Sequence, residues 1–125
     1  MTDAFPRLGA LEHEVMDVLW GCDDELCTRR VLERLRADLA YTTVATVLTN
    51  LTRKGMLERT SAARSWAYRP TTGRAEYVAG CMLQTLRAAP DRAEALQQLV
   101  RHLGPDERAA LAAELGRERD APSVA

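Results

Sequence analysis

Thr43, Thr46, Asn50 and Arg53 recur at three- and four-residue intervals within YTTVATVLTNLTRKGML, residues 41–57. At helical spacing they share one face, and each carries a hydrogen-bonding group. Val44, Val47, Leu48 and Leu51 fall on the opposite stripe, the one a helix buries. A helix with a small polar outer face can enter the ~12 Å major groove of B-form DNA. There a Thr hydroxyl exchanges hydrogen bonds with base edges, its methyl packs on thymine, and Asn pairs with adenine. Arg53 and Lys54, at the far end, suit phosphates and complement the negative end of the helix. Thr42, or the residue before it, is the expected N-cap, and Gly55 fits the position just past the C-terminus. Threonines at 42, 43, 46 and 49 lower helix propensity, which points to a surface serving contact rather than stability.

Charge supports an acidic partner. The chain has 125 residues and a net charge of −1, unevenly spread. Residues 41–74 carry six basic side chains (Arg53, Lys54, Arg59, Arg64, Arg69 and Arg74) against the single acid Glu58. The flanking segments are both net acidic. A local basic block on a near-neutral protein is a footprint for nucleic acid first.

The elements that must position these residues are readable from periodicity. Leu8 to Trp20 predicts a first helix, with Leu8, Leu11, Val15, Val18 and Leu19 inward and Gly21 ending it. TRRVLERLRADL predicts a second, capped by Thr28, with Val31, Leu32, Leu35 and Leu39 inward. Thr28 and Arg29 at its start can meet a phosphate through free backbone N–H groups. The third helix follows. MLERTS and WAYRP then predict two strands, joined by SAARS, which lacks the Gly or Asn of a tight turn and reads as a looser loop. Arg59, Arg64 and Arg69 decorate this hairpin. The expected fold is mainly α: an N-terminal winged helix-turn-helix, three helices plus a β-hairpin wing, over residues 1–72.

Residues 73–125 read as a second, helical domain. Val78, Met82 and Leu86 mark one apolar face, Leu96, Leu99, Val100 and Leu103 another, and Leu111 and Leu115 a third. Pro90 and Gly104-Pro105 separate the helices. About 50 residues make a marginal core alone, so these faces are expected to meet an identical chain.

Other chemistry finds little support. No nucleophile motif, paired catalytic carboxylates or Gly-rich phosphate loop occurs, which argues against an enzyme. Cys22, Cys27 and Cys81 have no CxxC spacing and read as free thiols, with neither metal nor cofactor expected. A thiol-responsive DNA binder is one alternative. A winged-helix protein-interaction module is another, though it would favour an apolar stripe on the third helix. No apolar run approaches a membrane span, and the acidic N-terminus is unlike a signal peptide; the expected location is cytoplasmic.

The stretches LGALEHEVMDVLW, VLERL, YTTVATVLTNLTRKGML and the strand pair ending YRP together resemble the penicillinase-repressor family. The resemblance covers residues 8 to about 70. It implies a homodimeric winged-helix repressor on a palindromic operator in double-stranded DNA, relieved by a stress or antibiotic signal. The family's base-reading positions fall on Thr43 and Thr46; another, usually Arg, is Asn50 here. In its antibiotic-resistance branch a membrane sensor metalloprotease pathway cleaves the repressor at an Asn-Phe bond. This chain has no Asn-Phe dipeptide, and the corresponding stretch reads LVRHLG. The copper branch's Cys-x-Cys motifs are also absent from the sequence.

Overall fold

A computed structural model describes residues 5–35, 38–62 and 65–120. In chain order these form α1 (Ala10–Trp20), β1 (Leu26–Cys27), α2 (Thr28–Arg34), α3 (Tyr41–Arg53), β2 (Leu57–Ala62), β3 (Ser65–Pro70), α4 (Arg74–Ala88), α5 (Arg92–His102) and α6 (Pro105–Asp120). The protein is mainly helical, with one small antiparallel sheet in the order β1-β3-β2. Two compact units divide inside α4, between Gln84 and Thr85.

In the first unit, α1, α2 and α3 enclose a core of Val15, Met16, Leu19, Val31, Val44, Leu48 and Leu51, all essentially inaccessible. The four inward positions expected of α3 are all buried. Met16 joins them although the amphipathic reading of α1 did not include it, while Leu8, Leu11 and Val18 pack only partly against the core. The first helix starts at Ala10 rather than Leu8. Gly9 is its N-cap, and its N–H donates to Glu12 Oε1 at 2.9 Å.

Helix starts and stops depart from the sequence reading where tertiary pairing intervenes. Leu26 and Cys27 pair with Tyr68 and Ala67 of β3, forming a strand that the polar stretch GCDDEL concealed. That pairing makes Cys27 the N-cap of α2, so Thr28 is not the cap; it is the first helical residue, and only 7% exposed. α2 ends at Arg34, because Leu35 is already extended at ψ 142. Leu39 nonetheless packs on the core from outside the helix. α3 begins at Tyr41 with Ala40 as N-cap and no side-chain cap, so neither Thr42 nor Tyr41 caps it.

The C-terminus of α3 follows expectation. Gly55 has φ +85, its N–H donates to Thr52 O, and the Met56 N–H donates to Leu51 O at 2.9 Å. These are the two bonds of a Schellman motif, and buried Leu51 and Met56 supply its usual apolar contact. The chain reverses there directly into β2. β2 and β3 pair from Leu57↔Pro70 through Ala62↔Ser65, leaving only residues 63 and 64 between the paired ends. The connection is therefore shorter than the loose loop expected from SAARS. Strand pairing across the hairpin outweighs the missing turn signal.

α4 contributes to the first unit through Tyr77 and Gly80. Tyr77 stacks against Trp20 at 5.6 Å between ring centroids, and its hydroxyl donates to Pro6 O at 2.5 Å. A Cβ on Gly80 would lie 2.5 Å from the Phe5 ring, so a side chain there would collide with the N-terminal segment. Gln84 closes the contact: it accepts from Phe5 N at 3.2 Å and donates to Phe5 O at 3.0 Å. α4 thus carries the first unit through to Gln84. In the second unit, α5 is capped by Asp91, which accepts from Glu94 N. Neither α5 nor α6 buries a residue.

Gly55→Ala places a β-carbon in the left-handed region with nothing within 4 Å to clash with, so only backbone strain is felt. The expected loss is about 1 kcal/mol in a denaturant titration.

Candidate nucleic-acid interface

Because Val44, Val47, Leu48 and Leu51 are buried, the opposite side of α3 faces outward: Thr42, Thr43, Thr46 and Thr49 are exposed and Asn50 is half-exposed. The threonines are not equivalent. Thr46 Oγ1 donates to Thr42 O, Thr49 Oγ1 to Ala45 O and Thr52 Oγ1 to Leu48 O, each at 2.8–2.9 Å. Their hydroxyl protons are committed to carbonyls one turn back. Thr46 therefore offers solvent a methyl group and an acceptor lone pair rather than a donor. Arg53 is exposed and donates to Asn50 Oδ1.

Lys54, expected beside Arg53 as a phosphate ligand, points elsewhere. Its Nζ lies 2.7 Å from Glu12 Oε1 and 3.5 Å from Arg7 O, tying the end of α3 to the start of α1. The Glu12 carboxylate is only 16% exposed and also accepts from Gly9 N–H. Burial alone would raise its pKa. The Gly9 and Lys54 hydrogen bonds and the Lys54 charge outweigh that, holding Glu12 below its ordinary 4.5.

The rest of the basic block is similarly sorted. Arg69 Nε sits 2.6 Å from Glu58, with Glu25 at 4.0 Å. Arg74 pairs with Asp17 at 3.3 Å and lies over Trp20. Arg59 instead stacks on Trp66, its guanidinium carbon 4.3 Å from the ring centroid. Among the described residues, Arg53 and Arg59 have no carboxylate partner, which leaves free positive charge at the end of α3 and on the wing. Arg64 lies outside the described residues. Arg29 is exposed, and with Cys27, Tyr41 and Ser65 it lines a groove between the starts of α2 and α3 and strand β3.

Two exposed aromatics were not among the expected contacts: Tyr41, 48% exposed, and Trp66, 46% exposed. Trp66 pairs with Ser61 across the hairpin, diagonal to Arg59. Its position in WAYRP gave a partial signal. Trp66 and Tyr68 share a face by alternation, but Tyr68 is buried and Trp66 is not, and only the sheet's placement on the core separates them.

Cys22, Cys27 and Cys81 are half-buried and form no disulfide among the described residues. Cys22 accepts a hydrogen bond from Arg34. Buried Tyr77 has its hydroxyl pushed up to about 12, by burial first, then by the hydrogen bond and charge of Cys81 and by the charge of Glu12.

Comparison with known proteins matches this arrangement to a family. The penicillinase repressor family model aligns with residues 8–117. The chain belongs to the penicillinase repressor family. The transcriptional regulator BlaI of Mycobacterium tuberculosis is 44% identical over 110 residues, spanning 84% of this chain and 80% of that protein. The solution structure of the DNA-binding domain of the repressor BlaI superposes with a TM-score of 0.53 at 27% identity, covering 60% of this chain and 93% of that domain. Bacillus licheniformis BlaI, solved as a monomeric form in complex with the blaP half-operator, matches with a TM-score of 0.50 at 28% identity, over 58% of this chain and 90% of its own. The chain is thus a BlaI-like transcriptional repressor. No helix among the described residues is long and apolar enough to cross a membrane.

The Glu12–Lys54 pair has a pH consequence. A carboxylate whose folded pKa is depressed stabilises above its unfolded value, and that stability is lost as pH falls through the folded value. The stability gap between the wild type and Glu12→Gln is therefore expected to be full at pH 7 and to shrink below about pH 4.5. Urea titrations at pH 7 and at about pH 3 read it; a gap independent of pH counts against the pair.

Proposed function

We propose that this chain represses transcription as a homodimer, each protomer laying α3 in the major groove of one half of a palindromic operator. The observation that carries the reading is the polar outward face of α3, built of Thr42, Thr43, Thr46, Thr49 and Asn50, above a fully buried apolar stripe. In this reading Thr43 and Thr46 face base edges, Thr42 flanks them, and Arg53 and Arg59 approach the backbone. Arg29 and Tyr41 line the phosphate-facing groove, Thr28 opens α2 beside Arg29, and Arg64, between β2 and β3 in sequence, adds positive charge. Lys54 serves by bracing α3 through Glu12 rather than by touching DNA. The complex of the Bacillus relative with a half-operator supports one protomer per half-site.

Dimerisation is proposed through the apolar side chains of α4, α5 and α6. Val78, Met82, Leu96, Leu99, Val100, Leu111 and Leu115 are 40–63% exposed in the single chain, and Leu86 and Leu103 are half-exposed. So much exposed aliphatic surface, on the outer row of α4 and on α5 and α6, which bury no residue, calls for a partner. Release by a stress or antibiotic signal, upstream through a membrane sensor protease, is proposed on family membership alone.

The operator reading is tested by titrating the full chain against the promoter region upstream of its own gene, with excess random DNA at fixed salt. Binding by two protomers that survives the competitor is expected; binding that the competitor abolishes removes the reading. Thr46→Ala, which loses the methyl contact and the acceptor, should weaken specific binding by about 1 kcal/mol or more, with random-sequence binding unchanged. Leu99→Glu should sediment near the 13.9 kDa protomer at concentrations where the wild type sediments at twice that mass. A dimeric Leu99→Glu protein excludes α5 from the interface.

A further inference from the structure

The hydrogen bond between Arg53 and Asn50 constrains which base α3 can read. A guanidinium has five N–H donors and no acceptor. The carboxamide atom facing Arg53 is therefore Oδ1, and the Nδ2 amino group remains for a partner outside the chain. No described residue takes a hydrogen bond from it. The neighbouring hydroxyl, Thr46 Oγ1, donates to Thr42 O and does not compete for Oδ1. Asn50 and Arg53 lie one turn apart on the outward side of α3, where the reading face would meet base edges.

Adenine shows the major groove an N7 acceptor beside an N6 donor, so bidentate pairing with Asn needs both the carboxamide oxygen and its nitrogen. Asn50 Oδ1 already accepts from the Arg53 guanidinium, so the adenine N6 donor would have to share that oxygen with a cationic donor. Guanine shows two acceptors, N7 and O6. That pattern matches the two N–H groups of Asn50 Nδ2, the donors left to it. We propose that Arg53 turns Asn50 into a donor-only reader, so that the operator base facing Asn50 is guanine rather than adenine. Arg53 is here a positioning residue: it orients the Asn50 carboxamide. This inference rests on the operator reading above, and it replaces the adenine preference that an isolated Asn would suggest.

The test is selection of bound sites from a pool of random duplexes by the full-length protein and its Asn50→Ala, Arg53→Ala and Arg53→Lys variants. The wild type should enrich half-sites with guanine at one step, and adenine there should weaken binding about tenfold. Asn50→Ala should erase the preference at that step alone. Arg53→Ala frees Oδ1 and should move the same step to adenine, with the other positions unchanged. Arg53→Lys retains a donor to Oδ1 and should restore guanine. An overall loss of structure cannot produce a switch at one base, so the readout separates positioning from folding. The proposal is overturned if the wild type selects another base at the step that Asn50→Ala erases, or if Arg53→Ala still selects guanine there. A wild-type pool with no enriched sequence would instead remove the operator reading itself.

Discussion

Burial of one stripe on α3 governs the rest of the molecule. Val44, Val47, Leu48 and Leu51 are each inaccessible or nearly so. At about 1.5–3 kcal/mol per buried aliphatic side chain, four of them contribute as much as the whole net stability of a small domain. Rotating α3 by even one residue about its axis would put two threonines among these four buried positions. The rotational phase is therefore fixed by the core, and with it the set of side chains that face outward. The Schellman motif at Gly55 anchors the same helix at its end, placing Met56 back in the core and starting β2 one residue later.

Electrostatics act at a finer level on this frame. Arg53 and Lys54 are adjacent in sequence and equally charged, yet they have different partners. A 100° step between successive helical residues turns one toward Asn50 and the outer face, and the other toward Glu12. The Lys54–Glu12–Gly9 set joins the end of one helix to the cap of another, and the partial burial of Glu12 makes it worth more than a surface ion pair. On the wing, pairing of Arg69 with Glu58 and Glu25 leaves Arg59 as the less compensated cation, held in place by Trp66. The basic block counted along the chain is thus reduced, in space, to a smaller number of available charges.

α4 serves two surfaces. Tyr77, Gly80, Cys81 and Gln84 face the N-terminal core and the Phe5–Pro6 segment. Val78 and Met82 project to solvent. An ordinary helical period allows both, since residues 77, 80, 81 and 84 recur at three and four while 78 and 82 form the neighbouring row. The aromatic contacts among Phe5, Trp20 and Tyr77 and the absence of a Cβ at Gly80 fix the first half of this helix on the first unit.

The sequence by itself determined the mainly helical winged fold, the buried stripe of α3, its glycine stop and the family. Each of these is local: a 3.6-residue period, one φ that suits glycine, or a motif in continuous sequence. Tertiary structure decided what depends on distant partners. The strand Leu26–Cys27 exists because β3 pairs with it, and that pairing moved Thr28 from cap to buried first turn. The register of the hairpin was set by its ladder, which pairs out to Ala62 and Ser65. Lys54 turned away from the reading face because Glu12, 42 positions earlier, waits beside it. The outward chemistry of Thr46 and Asn50 was set by hydrogen bonds within the folded helix. Residue type gives a side chain its donors and acceptors, but only the folded geometry decides which of them remain free.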